Sequence, residues 1–140
     1  MYAVVRVRGS VNVAKAVEDT LKMLRLNQVN HCVLVPKDKN YEGMLRKVES
    51  YVTWGEISEE VLERLVSRRG RLAGDKRIDD KEAGKALDKI RKDGVKDAGI
   101  KPVFRLSPPS KGYKATRKRF PMGDLGNRGE TINELLKRMI

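Results

Sequence analysis

The sequence predicts an α+β fold: a small three-stranded sheet with two helices in the order β-α-β-α-β, followed by a helical and loop-rich elaboration. Three observations carry that expectation. Up to residue 57, short β-branched runs alternate with segments of helical periodicity. Beyond it, helical patterns dominate and are interrupted by a basic stretch, 107–129, with no hydrophobic periodicity. The length of 140 residues suits one small domain carrying an elaboration, here divided into a core at 1–57 and the elaboration at 58–140.

Residues 2–8, YAVVRVR, open on β-branched residues and then alternate Arg6 and Arg8 with Val5 and Val7, which reads as a strand with one wet face. Gly9-Ser10 breaks it. Asn12 is placed as the N-cap of a helix in which Val13, Val17, Leu21 and Leu24 recur at helical spacing. The apolar run 31–35, closed by Pro36, reads as a buried strand. Tyr41, Met44, Leu45 and Val48 share one helical face despite Gly43, a residue that costs about 1 kcal/mol relative to alanine there. Residues 51–54 make the third strand, ended by Gly55, and both helices are expected on one face of the sheet.

Ser58 then caps a helix whose first turn carries Glu59 and Glu60, where the helix dipole favours negative charge, and whose apolar face is Val61, Leu62, Leu65 and Val66. Asp79 with Glu82 opens another helix carrying Ala83, Ala86, Leu87 and Ile90. Residues 103–106 are a candidate strand, stopped by Pro108-Pro109. Thr131 and Glu134 read as a capping box ahead of an apolar stripe of Ile132, Leu135, Leu136 and Met139. So short a helix is marginal alone, so the stripe is expected to dock near the helix that Ser58 opens and to anchor the basic loop.

Charge points to the partner. The 31 Lys and Arg against 19 Asp and Glu give +12, and a surface this basic attracts polyanions, nucleic acid before anionic membrane. The excess is uneven. Between Ala98 and Gly123 lie Lys101, Arg105, Lys111, Lys114, Arg117, Lys118 and Arg119, with no acidic residue. Tyr113 and Phe120 are candidates for stacking on unpaired bases. A second basic cluster is Arg68, Arg69 and Arg71, with Lys76 and Arg77 close behind. Arg6 and Arg8 are candidate contacts on the wet face of the first strand.

Catalytic chemistry has no footing in the residues. One histidine, no Gly-x-Ser-x-Gly and no clustered carboxylates outside helix starts leave no nucleophile with a base and an orienter. His31 beside Cys32 falls short of the four or so ligands of a zinc site, and both are expected as core residues of the strand. Gly123-x-x-Gly126-x-x-Gly129 is not a dinucleotide-binding fingerprint. The reading is therefore no catalytic residue, no metal, no cofactor and no small-molecule substrate. No run approaches the ~18 apolar residues of a membrane-spanning helix. The absence of a leader pattern after Met1, with a single cysteine, leads to the expectation of a cytoplasmic protein without a membrane partner. Trp54 is expected in the core.

Several segments carry a resemblance. VRG at 7–9, VNHCVLVP at 29–36, YEGMLRKVESYVTWGE at 41–56, FRLSPPSKG at 104–112 and GDLGNRGETINELLKRM at 123–139 resemble the archaeal form of the L-thirty/L-seven family of large-subunit ribosomal proteins. Only the stretch 78–100 matches poorly. The resemblance implies a core of three strands in the order 3-1-2 with two helices, akin to the ferredoxin fold, and an antiparallel sheet where the β-α-β pattern alone would suggest a parallel pair. It implies a structural role in the large subunit, with 23S-type rRNA and other large-subunit ribosomal proteins as partners; the alternative is a free RNA-binding regulator or rRNA-processing factor with the same fold. It also implies that the residues after the third strand are an elaboration absent from the short bacterial form. The RNA contacts expected on this basis are Arg105, Lys111, Lys114, Arg117, Lys118 and Arg119 in the basic segment, Arg128 in the Gly-rich segment, and Lys37 and Lys39 in the loop after VLVP. Arg69, Arg71, Lys76 and Arg77 join them from the second basic cluster.

Overall fold

A computed structural model describes residues 1–140 except residue 73 and residues 95–98. Strand β1 (Tyr2–Arg6) leads through helix α1 (Lys15–Met23) to β2 (His31–Val35), then through α2 (Lys39–Lys47) to β3 (Val52–Glu56). Helices α3 (Glu59–Arg69) and α4 (Asp80–Asp93) follow, then β4 (Val103–Arg105), β5 (Gly126–Asn127), a 3-10 turn at Gly129–Thr131 and helix α5 (Ile132–Met139). Among the described residues no helix is long and apolar enough to cross a membrane.

The sheet has five strands in the order β4-β2-β1-β3-β5. The three strands of the amino-terminal half do form its centre with β1 in the middle, but β4 and β5 extend it on both sides, so the expected three-stranded sheet is a five-stranded one. β1 runs antiparallel to both β2 and β3, and β2 antiparallel to β4. Among the described strands, only the β3–β5 pair is parallel. The parallel reading of the β-α-β pattern is thus corrected.

Side-chain alternation divides the core in two. Val4, Val33, Val35, Val52 and Trp54 face α1 and α2, packing on Leu21, Leu24, Leu26, Leu45 and Val48. Ala3, Val5, Cys32 and Leu34 face the other way, against α3, α4, α5 and Phe104. The central strands are therefore covered on both faces, which is why they read as continuous apolar runs. Trp54 lies in the core as expected. So does the α5 stripe: Ile132, Leu135, Leu136 and Met139 are fully buried among Val61, Leu62, Leu65 and Val66 of α3.

Four local expectations fail for identifiable reasons. β1 has no wet face: Arg6 is buried, and its guanidinium donates to the Leu26 carbonyl at 2.7 Å, the Arg8 carbonyl at 2.9 Å and Ser10 Oγ at 3.0 Å. Asn12 is no cap; it sits at φ 57° in the turn before α1, whose N-cap is Ala14. Gly55 does not end β3 but lies within it, opposite Ala3, and a Cβ there would meet the Gly129 carbonyl oxygen. Thr131 makes no capping bond; its hydroxyl is turned back to the Arg128 carbonyl at 2.5 Å. Ser58 does cap α3, accepting from the Val61 N–H at 3.4 Å, and the Asp79 N–H donates to Glu82 Oε2 at the start of α4.

Candidate nucleic-acid interface

The register of the sheet decides where each cation goes. At one end of the sheet lie Tyr2, Val35 and Glu56; at the other lie Arg6, His31, Val52 and Arg105. A five-residue strand spans roughly 17 Å, so the two ends are distinct surfaces. The basic segment closes over the second end. Its start is held by α5: the Ser107 and Ser110 N–H groups donate to the Met139 and Arg138 carbonyls, and Arg138 Nη1 donates to the Ser110 and Gly112 carbonyls. Tyr113 is pinned by its hydroxyl donating to Asn30 Oδ1 at 2.6 Å. Burial, with the nearby Asp124 carboxylate, pushes this phenol up to about 12. The segment's far end is β5, where Thr53 Oγ1 donates to the Gly126 carbonyl and the Arg128 N–H to the Trp54 carbonyl.

Between those anchors the chain folds back on itself. The Asp124 N–H donates to the Ala115 carbonyl, Gly123 to Arg119, Leu125 to Lys118 and Phe120 to Leu125. Lys111, Lys114, Arg117, Lys118 and Arg119 are all exposed on this closed turn. Lys114 Nζ reaches the Pro121 carbonyl at 3.1 Å, and Arg119 pairs with Glu49 beyond the end of α2. Lys111, Arg117 and Lys118 pair with no carboxylate among the described residues. The stretch 107–129, which lacks hydrophobic periodicity, thus contains β5 and this web of backbone bonds.

The second cluster runs along the edge strand β4. Arg69, at the end of α3, donates to the Arg105 carbonyl at 3.4 Å and to Ser107 Oγ at 2.8 Å. Arg71 and Arg77 bridge as an antiparallel pair, and the Lys101 N–H donates to the Arg71 carbonyl. Asp75 lies among them, bound to Lys101 at 2.5 Å and 3.8 Å from Arg105, and these cations hold its carboxyl below the ordinary value, with the Lys101 hydrogen bond foremost. Lys76 and Arg77 are exposed beside it. Arg69 thus ties the β4 edge to Ser107, where the basic segment begins.

Two groups of expected contacts lie elsewhere. Lys37 and Lys39 are exposed, but at the opposite end of the sheet, where Lys37 pairs with Glu56 and lies 5.6 Å from the Tyr2 ring centre. Arg128 is turned inward. Its side chain is 8% exposed, 3.2 Å from an Asp124 carboxylate that is 3% exposed, and it lies 5.3 Å from the Phe120 ring centre. Burial pulls its guanidinium below the ordinary value while Asp124 opposes the pull. Arg6, likewise, serves carbonyls inside the fold rather than solvent.

Sequence reasoning passed over Asp124, Asn30 and Arg138, which hold the basic turn in place. One signal was available: Asp124 is the one acidic residue between Ala98 and Glu130 in an otherwise cationic stretch.

The family described as Ribosomal protein L30p/L7e matches residues 2–52, which is β1 through the start of β3. The chain is 45% identical to large ribosomal subunit protein uL30 of Methanosphaera stadtmanae, with all of both chains covered. It is 48% identical to the protein of that name from Methanococcus vannielii and 41% identical to that from Methanothrix thermoacetophila, with 99% of each chain covered in both cases. The similarity thus runs through the basic turn and α5 as well as the sheet, and the chain belongs to the uL30 family of ribosomal proteins, the L30p/L7e family, in its archaeal form.

Proposed function

We propose that this protein is a structural constituent of the large ribosomal subunit, which holds 23S-type rRNA by the basic turn at 107–129 together with the adjoining β4 edge, and which catalyses no reaction. The observation that carries the proposal is the set of exposed cations Arg105, Lys111, Lys114, Arg117, Lys118 and Arg119 on β4 and the basic turn, with Arg69 bonded to both Arg105 and Ser107, in a chain whose full-length relatives bear the large-subunit name. Cations at this density neutralise several phosphates at once, and phosphate contacts give affinity and position without a base-reading element. Arg71, Lys76 and Arg77 extend this set along β4. Lys37 and Lys39, at the other end, are assigned to a separate, smaller contact with rRNA or a neighbouring ribosomal protein. Arg128 is left to the interior. In this reading residues 1–57 are the sheet-building core, residues 58–140 supply the binding surface, and the protein resides with the ribosome in the cytoplasm, without membrane or small-molecule partners.

The test is binding of the full chain to deproteinised archaeal large-subunit rRNA. Replacing Lys111, Lys114, Arg117 and Lys118 with Ser should weaken binding by several powers of ten at low salt and flatten the salt dependence, since each lost phosphate contact removes about 0.7–0.9 from the log–log slope. Unchanged affinity and slope in a folded variant would remove the basic turn from the interface.

A further inference from the structure

The basic turn contains one carboxylate, and its surroundings are those of a built element. Asp124 is 2% exposed. Its Oδ2 accepts from the Ala115 N–H at 3.1 Å, and its Oδ1 lies 3.2 Å from Arg128 Nη1. Its own N–H donates to the Ala115 carbonyl at 2.9 Å, so residues 115 and 124 are bonded twice, closing the segment that presents Arg117, Lys118 and Arg119. Gly123 is the tightest point of the closure: a Cβ there would stand 2.1 Å from the Lys118 carbonyl oxygen and 2.6 Å from its carbon, both backbone atoms. Arg128 is fixed in turn by its backbone, whose N–H donates to the Trp54 carbonyl, so the carboxylate ties the turn to the sheet.

We infer that Asp124 is a positioning residue for polyanion binding: it holds the cations of the basic turn in a fixed arrangement on the sheet, although its own charge repels phosphates. This inference rests on the proposed RNA-binding role of the turn. Like charges crowded on a free loop spread apart and lose conformational freedom on binding; a loop closed in advance has already lost it. The buried Asp124–Arg128 pair supplies the closure at no net charge.

The sign of the expected effect separates positioning from bulk electrostatics. Asp124→Asn raises the net charge from +12 to +13. Attraction of RNA to net charge alone gives binding as tight as the wild type or tighter. Positioning gives binding weaker by about tenfold, with a log–log salt slope smaller by roughly one unit for each phosphate no longer engaged. Gly123→Ala provides a second route to the same end: it leaves every cation and the net charge unchanged and opens the turn by steric contact with Lys118.

The experiment measures the wild type, Asp124→Asn, Gly123→Ala and the four-fold Ser variant on deproteinised archaeal large-subunit rRNA across a salt series, with amide exchange on each free protein. The inference expects faster exchange at the Ala115 and Leu125 amides in both single variants, unchanged protection in β1, β2 and β3, and weaker, less salt-dependent binding. Binding by both single variants as tight as the wild type would overturn the inference, provided the four-fold variant still loses affinity. If the four-fold variant binds normally, the RNA-binding reading itself falls. Should Asp124→Asn unfold the whole chain, Gly123→Ala alone decides, and normal RNA affinity with an opened turn overturns the inference.

Discussion

Cys32 has no exposed surface; it faces Phe104 across the β2–β4 pair, and complete burial pushes its thiol up to about 12. Two outcomes follow at this single residue. In the native protein at pH 8 the thiol should resist alkylation that proceeds readily in denaturant, because the thiolate is the reacting form. The raised value also makes a pH claim of definite sign. The stability that the neutral thiol contributes is complete below the ordinary thiol value and is lost as pH rises through that value towards about 12. The difference in urea stability between wild type and Cys32→Ala should therefore shrink with rising pH above about 9; a gap independent of pH would contradict it. Arg6 gives a second residue-scale outcome. Its three hydrogen bonds satisfy the buried Leu26 carbonyl and the turn at Arg8 and Ser10. Arg6→Met should cost about 1.5–3 kcal/mol in urea unfolding, because an acceptor is left buried without a donor. An RNA-facing arginine would cost little stability and much affinity.

At the scale of elements, α5 is the support on which the basic segment rests. Its stripe packs against α3, and its last turn holds Ser107 and Ser110 while the chain entering it holds β5 against β3. Leu135→Ala and Leu136→Ala should each cost about 2–5 kcal/mol by urea denaturation, since both side chains are fully buried. RNA binding should weaken with them although no cation is removed; wild-type stability and affinity in the double variant would deny α5 that role. The periodicity of α5 was legible in its sequence, because a helix packed on one side keeps a one-sided stripe. The α3 cap at Ser58 was legible for a similar reason, being set by neighbours in the chain. β5 was not. It is two residues long, one of them Gly126, and it exists because β3 offers it an edge, so nothing in its local sequence marks it as a strand. Arg6 misled for the same cause: whether a strand residue faces water depends on the covering layers, and β1 is covered on both sides. Among the candidate contacts, the cations of the basic turn could be read from charge density, but the division between Lys37 and Lys39 at one end and the turn at the other required the register.

For the molecule as a whole, a two-faced sheet with helices on both sides leaves its end as the place where a loop can lie beside three strands at once, and the basic turn occupies it. For the proposed RNA-binding role, the net charge of +12 with only 5% aromatic residues favours phosphate neutralisation over stacking as the source of affinity. The central claim is that the chain is an integral part of the large ribosomal subunit, held there by RNA. Sedimentation of a cell lysate through a sucrose gradient after a moderate salt wash tests it most directly. The protein should travel with the large subunit in one-to-one amount, and leave it only at high salt. Recovery at the top of the gradient, or in far less than stoichiometric amount on the subunit after that wash, would contradict it.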